Sequence, residues 1–483
     1  MKLYFEMLKL IFNKYIRKYN NGKLIKEFCE DMGVVYIKLA QMLSTQSFGN
    51  LFTEEDKKIL SGICSDCKYI SFKEIKKIIE KEYNKPIDEL FEYIEEKPIG
   101  AASISQVHKA KLKNGDIVAL KIKRKNVTSN VNKQIKQIKK LMHLFGKFLK
   151  FGNFVGFDRA LNLYLSWIYQ ETDFENEVKN LKTYNSFANT VNGKIEGNKN
   201  IKVPKIYPEL CNNNIIAMEF IEHKTIDKLE LNEENIKKIK DALNSYISSS
   251  LYAMFNDLKI VFHGDPHSGN IYIDENGDMG FLDMGLIFEL PEQDMKLTKE
   301  LFFAAYKRDS EKIYNLAIPY SNLSEEKKNN FKKDIEKYCN ELKNKPATSY
   351  FTDLMNICLK YEVCPPNFLF CLAKAFICLD GINTISKNDI SGTDLLKEQV
   401  IEYYIRKTLK ETDLSIIEGL TLFPKVLLNT GKYGLVRGFT KNLVQSNDLK
   451  NRIKQTLESY KEILDIMFDN EDFEPYINKT LKK

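Results

Sequence analysis

The chain has 483 residues, of which 43% are hydrophobic, and it can therefore bury a large core. Its 73 lysines and arginines exceed its 66 acidic residues only slightly, without an arginine-rich stripe, so we do not predict nucleic acid as a partner. The nine cysteines are odd in number and mostly occupy apolar patterns, which favours a reducing compartment over a disulfide framework.

The first 20 residues predict an amphipathic helix and no cleaved signal peptide, because Glu6, Lys9 and Lys14 interrupt its apolar side. This helix either lies on a membrane or docks on the rest of the protein. The longest apolar run, Phe368 to Leu379, is short and contains a lysine, so we predict that the chain does not span a bilayer by itself. We expect a cytoplasmic protein, either free or in peripheral contact with a membrane, and the oligomeric state stays open.

Helical patterns fill the chain up to residue 97, and the period changes to two at Pro98. Two predicted strands, SISQVHKAKL and DIVALKIKR, are separated by Asn114-Gly115, a strong signal for a β-hairpin. Long helical patterns follow, then a further strand, NIIAMEFIE, and the pattern is again helical after about residue 290. This order predicts an α+β fold with a β-lobe early in the chain.

A single lysine, Lys121, emerges beside Ala119 on one face of an otherwise apolar strand. One explanation is a rim lysine whose charge reaches water. The other is a lysine that holds the α- and β-phosphates of a nucleotide and pairs with a glutamate on a nearby helix.

The run KPIGAASISQ, just before the hairpin, contains small residues that would let main-chain N–H groups approach phosphates closely. It lacks the G-x-G-x-x-G of ordinary kinases, and a tight turn is the competing explanation. Further along the chain, Glu171, Asp173 and Glu177 give a helix an acidic side. That side is either solvated or met by cations.

The stretch HGDPHSGN places Asn270 five residues after Asp265, the spacing of the aspartate and asparagine in H-R-D-x-x-x-x-N catalytic loops. A predicted hairpin then brings Asp283, in FLDMG, to the same side. One carboxylate and one carboxamide suit Mg²⁺, whose coordination phosphates and water complete. Turn formation alone is the competing explanation, but the motifs follow one another in kinase order, so we predict nucleotide binding of the phosphotransferase type.

The segments KPIGAASISQVHKAKLKNGDIVALKIKR, FHGDPHSGNIYID and FLDMG together resemble the UbiB/AarF family of atypical kinase-like proteins, over roughly residues 30 to 290. GVVYIKLAQMLSTQ is similar to that family's K-x-G-Q signature, with Lys38 and Gln41 in its first and last positions. The resemblance implies a bilobal protein-kinase-like α+β fold. A small antiparallel N-lobe sheet with helical insertions is expected, with a mainly helical C-lobe and helical extensions at both ends.

The implied division of the chain has four parts. Residues 1–97 form a helical extension that carries the K-x-G-Q-like segment, and residues 98–223 form the N-lobe. Residues 224–390 form the C-lobe, and residues 391–483 form a C-terminal helical extension.

The resemblance also implies a role for each matching residue. Lys121 would bind phosphates and pair with Glu177, Asp265 would be the catalytic-loop acid, and Asn270 and Asp283 would bind Mg²⁺. The other residues expected at the cofactor are Ala101, Ala102, Ser103 and Glu219.

A regulatory role is implied for the K-x-G-Q segment, which packs in this family over the region where a kinase admits a protein substrate. Lys38, with Gln41 beside it, would meet the E-x-D acids Glu171 and Asp173. The expected cofactors are ATP (or ADP) and Mg²⁺. The expected activity is that of an ATPase or a small-molecule or lipid kinase, connected with isoprenoid or quinone metabolism at membranes.

This sequence departs from the family pattern at several positions. Ala40 replaces the signature glycine and adds a methyl group where helices pack closely, and Gln46 replaces an arginine. Gly100 replaces the first alanine of the nucleotide loop, and we expect the more flexible loop to alter nucleotide preference. The family's C-terminal transmembrane helices are not predicted.

Two other functions fit parts of the sequence. A small-molecule phosphotransferase of the aminoglycoside or choline kinase type shares the HGDxxxxN motif, and the K-x-G-Q-like helix argues against it. A nucleotide-binding regulator or lipid-binding scaffold without turnover would need the same ligands. The phosphoryl acceptor stays open.

Overall fold

The computed structural model describes residues 21–43, 53, 55–56, 59, 69–145, 155–342 and 347–386. The helix predicted over residues 1–20, Gln46 and the C-terminal extension predicted over 391–483 lie outside the described residues. In chain order, the first described elements are α1 (Asn21–Met32), α2 (Val34–Leu43), α3 (Phe72–Tyr83), α4 (Ile87–Leu90), β1 (Phe91–Ile94), β2 (Gly100–Ala101), β3 (Ser105–Leu112), β4 (Ile117–Lys123), α5 (Val127–Phe145), α6 (Val155–Gln170) and α7 (Phe174–Val191).

The second half of the described chain begins with two short strands and continues mainly as helices. Its elements are β5 (Ile201–Lys202), β6 (Ile215–Glu219), α8 (Glu233–Phe255), β7 (Val261–His263), β8 (Ile271–Ile273), β9 (Met279–Phe281), β10 (Ile287–Glu289), α9 (Glu292–Lys307), α10 (Ser310–Ala317), α11 (Glu325–Glu341), α12 (Ala347–Lys360) and α13 (Asn367–Ser386).

The N-lobe contains an antiparallel sheet in the order β1-β3-β4-β6, with β2 paired to β3. The predicted hairpin is confirmed: β3 and β4 pair over seven positions, and Gly115 in the turn has a φ of +95°, which glycine adopts without strain. Within β6, Ile215 packs against the cluster that contains α3, whereas Ile216 packs against α1, α2, α5 and α6. Adjacent strand residues point to opposite faces, so helices cover both sides of the sheet.

The sheet starts earlier in the chain than the predicted N-lobe boundary at residue 98. Strand β1 pairs with β3, and α3 contributes Ile75 and Ile79, both fully buried, to the core of this sheet. The helices that precede it, α1 and α2, are separated at Gly33, whose φ of +112° ends one helix before the next begins.

The C-lobe is mainly helical and contains two small sheets. One pairs β7 with β10, and the other joins β5, β9 and β8. A continuous apolar core connects these strands to α7, α8 and the helices from α9 to α13. The sheet-containing N-lobe and helical C-lobe confirm the predicted bilobal α+β architecture.

Among the described residues, one helix is long and apolar enough to cross a membrane by length and composition alone. This helix, α13, has a mean hydropathy of 1.7, and it extends beyond the apolar run noted in the sequence. It packs in the C-lobe core through Leu372, Phe376 and Leu379, so its apolar character is also that of a core helix.

Phe281 offers a test of this core. Its side chain is fully buried, stacks on His263 with a centroid distance of 4.7 Å, and contacts Tyr184 and Tyr246 edge-on. We expect Phe281→Ala to lower the free energy of unfolding by about 3–5 kcal/mol, because it leaves a cavity among aromatic rings. Chemical denaturation would measure the change.

The matched control is Tyr69→Ala, because Tyr69 is 65% exposed. We expect it to change the free energy of unfolding by about 0.5 kcal/mol or less. Similar losses in the two variants would contradict the placement of Phe281 in the core.

Candidate active site

A three-residue ion cluster lies where the N-lobe meets the C-lobe. Lys121, on β4, places its Nζ 2.7 and 2.9 Å from the two carboxylate oxygens of Glu177, on α7. The same Nζ lies 3.0 Å from Oδ2 of Asp283, which follows β9. The Glu177 side chain is only 1% exposed, so Lys121 supplies the positive charge that balances a buried carboxylate.

The charges in this cluster support one another. Burial raises the pKa of Glu177 to about 7, and the nearby ammonium of Lys121 limits that rise. Burial also opposes the charge of Lys121, but Asp283 and Glu177 raise the pKa of Lys121 above its ordinary value. For Asp283, burial is outweighed by Lys121 and by the Gly285 N–H, which bring its pKa down to about 2. One firmly held cation therefore sits between two carboxylates.

The candidate metal ligands are brought together by the β8–β9 hairpin. Leu282 N–H donates to the carbonyl of Asn270 at 2.9 Å, so Asn270 lies across from the residue next to Asp283. The amide Nδ2 of Asn270 donates to the carbonyl of Asp265 at 3.3 Å, and no described hydrogen bond engages its Oδ1. Asp283 accepts from Gly285 N–H through Oδ1 at 2.9 Å, and 44% of its side chain is exposed.

These two donors fit Mg²⁺ as a partner of a nucleotide. Both are hard oxygen ligands, and no described group of three or more His, Cys, Asp or Glu side chains could hold a metal alone. A cation bound by Asn270 and Asp283 would therefore need phosphate oxygens and water to complete its coordination.

A buried histidine fixes the loop that carries Asp265. His263 Nδ1 accepts from the Asp265 N–H at 3.0 Å, so its Nε2 carries the proton and donates to the Asp283 carbonyl at 2.5 Å. Burial lowers the pKa of His263 to about 4, which keeps this neutral form. One imidazole thus connects the main chain at the two candidate aspartates.

The Asp265 carboxylate has a lysine and a histidine beside it. Lys374, from α13, lies 2.9 Å from its Oδ1, and His267 Nε2 lies 4.0 Å from its Oδ2. Burial opposes ionisation, but the charge of Lys374, followed by those of His267 and Lys38, lowers the pKa of Asp265 below its ordinary value. Such a carboxylate is better suited to orienting a hydroxyl group than to removing its proton unaided.

The structure brings Lys38, on α2, to one of its two expected acidic partners. Lys38 Nζ contacts Glu171, and the two side chains are 20% and 19% exposed. Tyr164, on α6, donates from its hydroxyl to the Lys38 carbonyl at 2.6 Å. Burial lowers the pKa of Lys38 to about 8. The side chain of Gln41 lies outside the described part of the chain.

Asp173 has a different position from the one expected. It is exposed and serves as the N-cap of α7, where its carboxylate accepts from the Asn176 N–H at 3.1 Å. The helix begins at Phe174, so the Asp173 carboxylate caps a main-chain N–H of its first turn. Of the two E-x-D acids, Glu171 is the one that Lys38 contacts.

The small-residue loop lies in register with Lys121. Gly100 pairs with Val107, and Val107 in turn pairs with Lys121 across β3 and β4. Ala101 ends β2, Ala102 N–H donates to the Ser105 carbonyl at 2.8 Å, and Ser103 lies within the resulting turn. A Cβ added at Gly100 would meet nothing within 4 Å, so alanine would fit there. Ala40, by contrast, is only 1% exposed and lies between helices.

Glu219 lies at the end of β6, away from the ion cluster. In the sheet, Glu219 pairs with Val118, whereas Lys121 pairs with Ile216. The exposed carboxylate of Glu219 accepts a hydrogen bond from the Lys205 N–H at 3.1 Å. Its assignment to the cofactor stays a prediction.

Three residues at this site were not predicted from the sequence. His263 begins the H-x-D motif, so its position was a usable signal. Asn180 follows Glu177 by three residues on α7, and its amide donates to the Met284 carbonyl at 2.8 Å. Lys374 interrupts an apolar helix, which signals a partner without naming it.

The Lys38–Glu171 contact can be tested by a double-mutant cycle. We expect Lys38→Met and Glu171→Gln to show a coupling free energy of at least about 1 kcal/mol, because each leaves the other partly buried and unpaired. Chemical denaturation of both single variants and the double variant would measure it. The control pair is Lys76–Glu80, at 3.7 Å on the more exposed side of α3, for which we expect about 0.5 kcal/mol or less. Equal coupling in the two pairs would contradict a special role for the contact with α2.

Comparison with known proteins gives the relationship of this chain. The model of the ABC1 atypical kinase-like domain matches residues 62–317. Protein ACTIVITY OF BC1 COMPLEX KINASE 7, chloroplastic, from Arabidopsis thaliana is 28% identical over 313 residues, which cover 64% of this chain and 42% of that protein. A probable protein kinase UbiB from Shewanella sp. (strain W3-18-1) is 28% identical over 373 residues, covering 75% of this chain and 66% of the relative.

Among solved structures, the Rv3197–erythromycin complex from Mycobacterium tuberculosis aligns with a TM-score of 0.44 and 16% identity, covering 67% of this chain and 84% of that one. A likeness of this size carries no argument. The domain model, however, matches more than half of the 483 residues, including the ion cluster and residues 263–270, the catalytic-type loop. The chain therefore belongs to the ABC1 atypical kinase-like family, which confirms the resemblance to UbiB/AarF proteins.

Proposed function

We propose that this chain binds ATP or ADP with Mg²⁺ between its lobes and acts on the terminal phosphate as an atypical kinase or ATPase. The observation that carries the proposal is the contact of one lysine, Lys121, with both Glu177 and Asp283. An ammonium in this position can bind phosphate oxygens, and Asp283 beside it can bind the metal ion that accompanies the phosphates.

Each residue has a distinct task in this proposal. Glu177 holds Lys121 in place, and Lys121 binds the α- and β-phosphates. Asn270 and Asp283 hold Mg²⁺, which supplies positive charge that neutralises the phosphates during transfer. The turn at residues 101–103 covers the phosphates, because its small side chains let the main chain approach them closely.

The acceptor side is defined by Asp265 and Lys38. Asp265 orients the acceptor hydroxyl or a water molecule, since its pKa is lowered and it stays ionised. Lys38, which contacts Glu171, contributes to the charge around Asp265, and the resemblance to the family implies that α2 lies on the approach to it. A small molecule or water fits such a restricted site better than an extended protein segment.

The nature of the acceptor follows only from the family. We propose a lipid or isoprenoid-type small molecule, as in quinone metabolism, reached by a cytoplasmic protein in peripheral contact with a membrane. A phosphotransferase of the aminoglycoside or choline kinase type is disfavoured by the K-x-G-Q-like helix α2, whose Lys38 contacts Glu171.

A single substitution tests the metal assignment. We expect Asp283→Asn to raise the Kd for Mg-ATP at least about tenfold, or 1.4 kcal/mol, because it removes a charge that both Mg²⁺ and Lys121 use. Titration of the purified protein with Mg-ATP would measure the Kd. The control is Asp257→Asn, since that side chain is 76% exposed in a surface pair with Lys299. Unchanged binding by Asp283→Asn would overturn the metal assignment.

Turnover and membrane contact are tested together. We expect ATP hydrolysis by the wild type to increase on anionic liposomes with a phenol-like headgroup mimic, because the acceptor would be presented at a surface. Hydrolysis would be measured with and without liposomes, beside neutral liposomes as the control. Nucleotide binding without turnover in every condition would favour the non-catalytic regulator.

A further inference from the structure

The catalytic-type loop is held from the C-lobe by a lysine that the proposed function does not use. Lys374, on α13, lies 2.9 Å from Asp265 Oδ1 and also donates to the Gly264 carbonyl at 2.5 Å. Its side chain is 20% exposed. One cation therefore binds both a side-chain oxygen and a main-chain oxygen of the same loop.

The same lysine also faces the N-terminal helices. Its Nζ lies 5.9 Å from the ring centroid of Trp167, which is 8% exposed on α6. One turn earlier, Tyr164 on that helix bonds the carbonyl of Lys38. Lys374 thus lies between the loop of Asp265 and the helix that contacts the K-x-G-Q-like segment.

No other described cation is placed to do the same work. His267 belongs to the loop itself, but its side chain is 52% exposed and 4.0 Å from the carboxylate. From α2, Lys38 makes its contact with Glu171. Cys378, one turn after Lys374, lies 3.6 Å from Asp265 Oδ1 and brings no positive charge.

A lysine at this place is poorly explained by stability alone. It interrupts a helix that otherwise packs in the apolar core, and removing an ammonium from water costs about as much as a buried ion pair returns. A methionine of similar length would pack there without that cost. The two bonds to the loop, however, fix an orientation that no apolar side chain could fix.

We propose that Lys374 is a positioning residue, which orients the Asp265 carboxylate and the loop around it toward the phosphoryl acceptor. This inference rests on the proposed function, because it takes Asp265 as the group that orients the acceptor. It adds a cation from α13 to a site in which Lys121 serves the nucleotide.

The test compares Lys374→Met with the conservative Lys374→Arg. We expect Lys374→Met to lower kcat for ATP hydrolysis about 10- to 100-fold, because a small displacement of Asp265 misaligns the acceptor. The Kd for Mg-ATP should stay within about twofold, since the described contacts of Lys374 do not include the Lys121–Glu177–Asp283 cluster. Lys374→Arg should recover most of kcat, because a guanidinium can donate to both oxygens.

The matched control is Lys360→Met. The Lys360 side chain is 61% exposed and forms a 2.6 Å ion pair with Asp334, which is not part of the loop. This variant should leave kcat and Kd unchanged. Trp167 is the sole tryptophan in the sequence, so its emission reports on the Lys374 environment directly. The emission should change in Lys374→Met and not in Lys360→Met.

Several results would overturn the proposal. These are an unchanged kcat in folded Lys374→Met, a weakened Kd in place of a lowered kcat, or an arginine variant as impaired as the methionine variant. If Lys374→Met does not melt cooperatively, the arginine variant decides by its kcat and Kd.

Hydrogen exchange separates this inference from the proposed function. If the wild type binds nucleotide but never turns it over, the catalytic part of the proposed function fails. Backbone amides over residues 263–270 should still exchange faster in Lys374→Met and regain protection in Lys374→Arg. Unchanged exchange there would overturn the positioning role by itself.

Discussion

The contact of Lys121 with Glu177 and Asp283 is the interaction on which the site depends. It joins a strand of the N-lobe sheet, a helix that packs in the C-lobe core, and the segment after β9. One positive charge lies between two negative ones, so removing the lysine would leave two like charges close together and poorly hydrated. The spacing of the lobes and the charge of the proposed phosphate site are therefore set by the same three side chains.

Helix α7 orders the proposed metal side of the site as well as the proposed phosphate side. Glu177 and Asn180 lie three residues apart on one face of the helix, and they bind Lys121 and the Met284 carbonyl. His263 holds the same segment from the opposite direction through the Asp283 carbonyl. Because the segment after β9 is held by hydrogen bonds to its main-chain carbonyls, the carboxylate of Asp283 stays available to bind cations.

Local patterns in the sequence predicted the elements that carry chemistry. The β3–β4 hairpin followed from alternation around Asn114-Gly115, and the closeness of Asn270 to the Asp283 segment followed from a second short hairpin. Both are contacts between neighbours in the chain, where spacing and turn residues determine geometry. The likeness to a known family then supplied the bilobal arrangement, which no local pattern contains.

Long-range contacts and helix ends were less predictable. The sequence placed Asp173 and Glu171 together as partners of Lys38, but the start of α7 makes Asp173 a cap, and only the structure shows where that helix begins. Strand β1 joins the sheet before the predicted boundary, because pairing with β3 depends on tertiary packing. Lys374 lies more than 100 residues after Asp265, so its partner is set by how α13 packs against the loop.

The surroundings of Asp265 differ in kind from those of the Lys121–Glu177–Asp283 cluster. Lys121, Glu177 and Asp283 form a closed set of charges within about one side chain's reach, whereas Asp265 is held by α13 and approached by α2, which come from opposite ends of the described chain. Helix α6 connects these two helices through Tyr164 and Trp167. In the proposed function, nucleotide binding would use the Lys121–Glu177–Asp283 cluster, whereas the acceptor side would also depend on how these helices pack. A fold divided in this way would be able to keep its proposed phosphate-binding side and to change its acceptor.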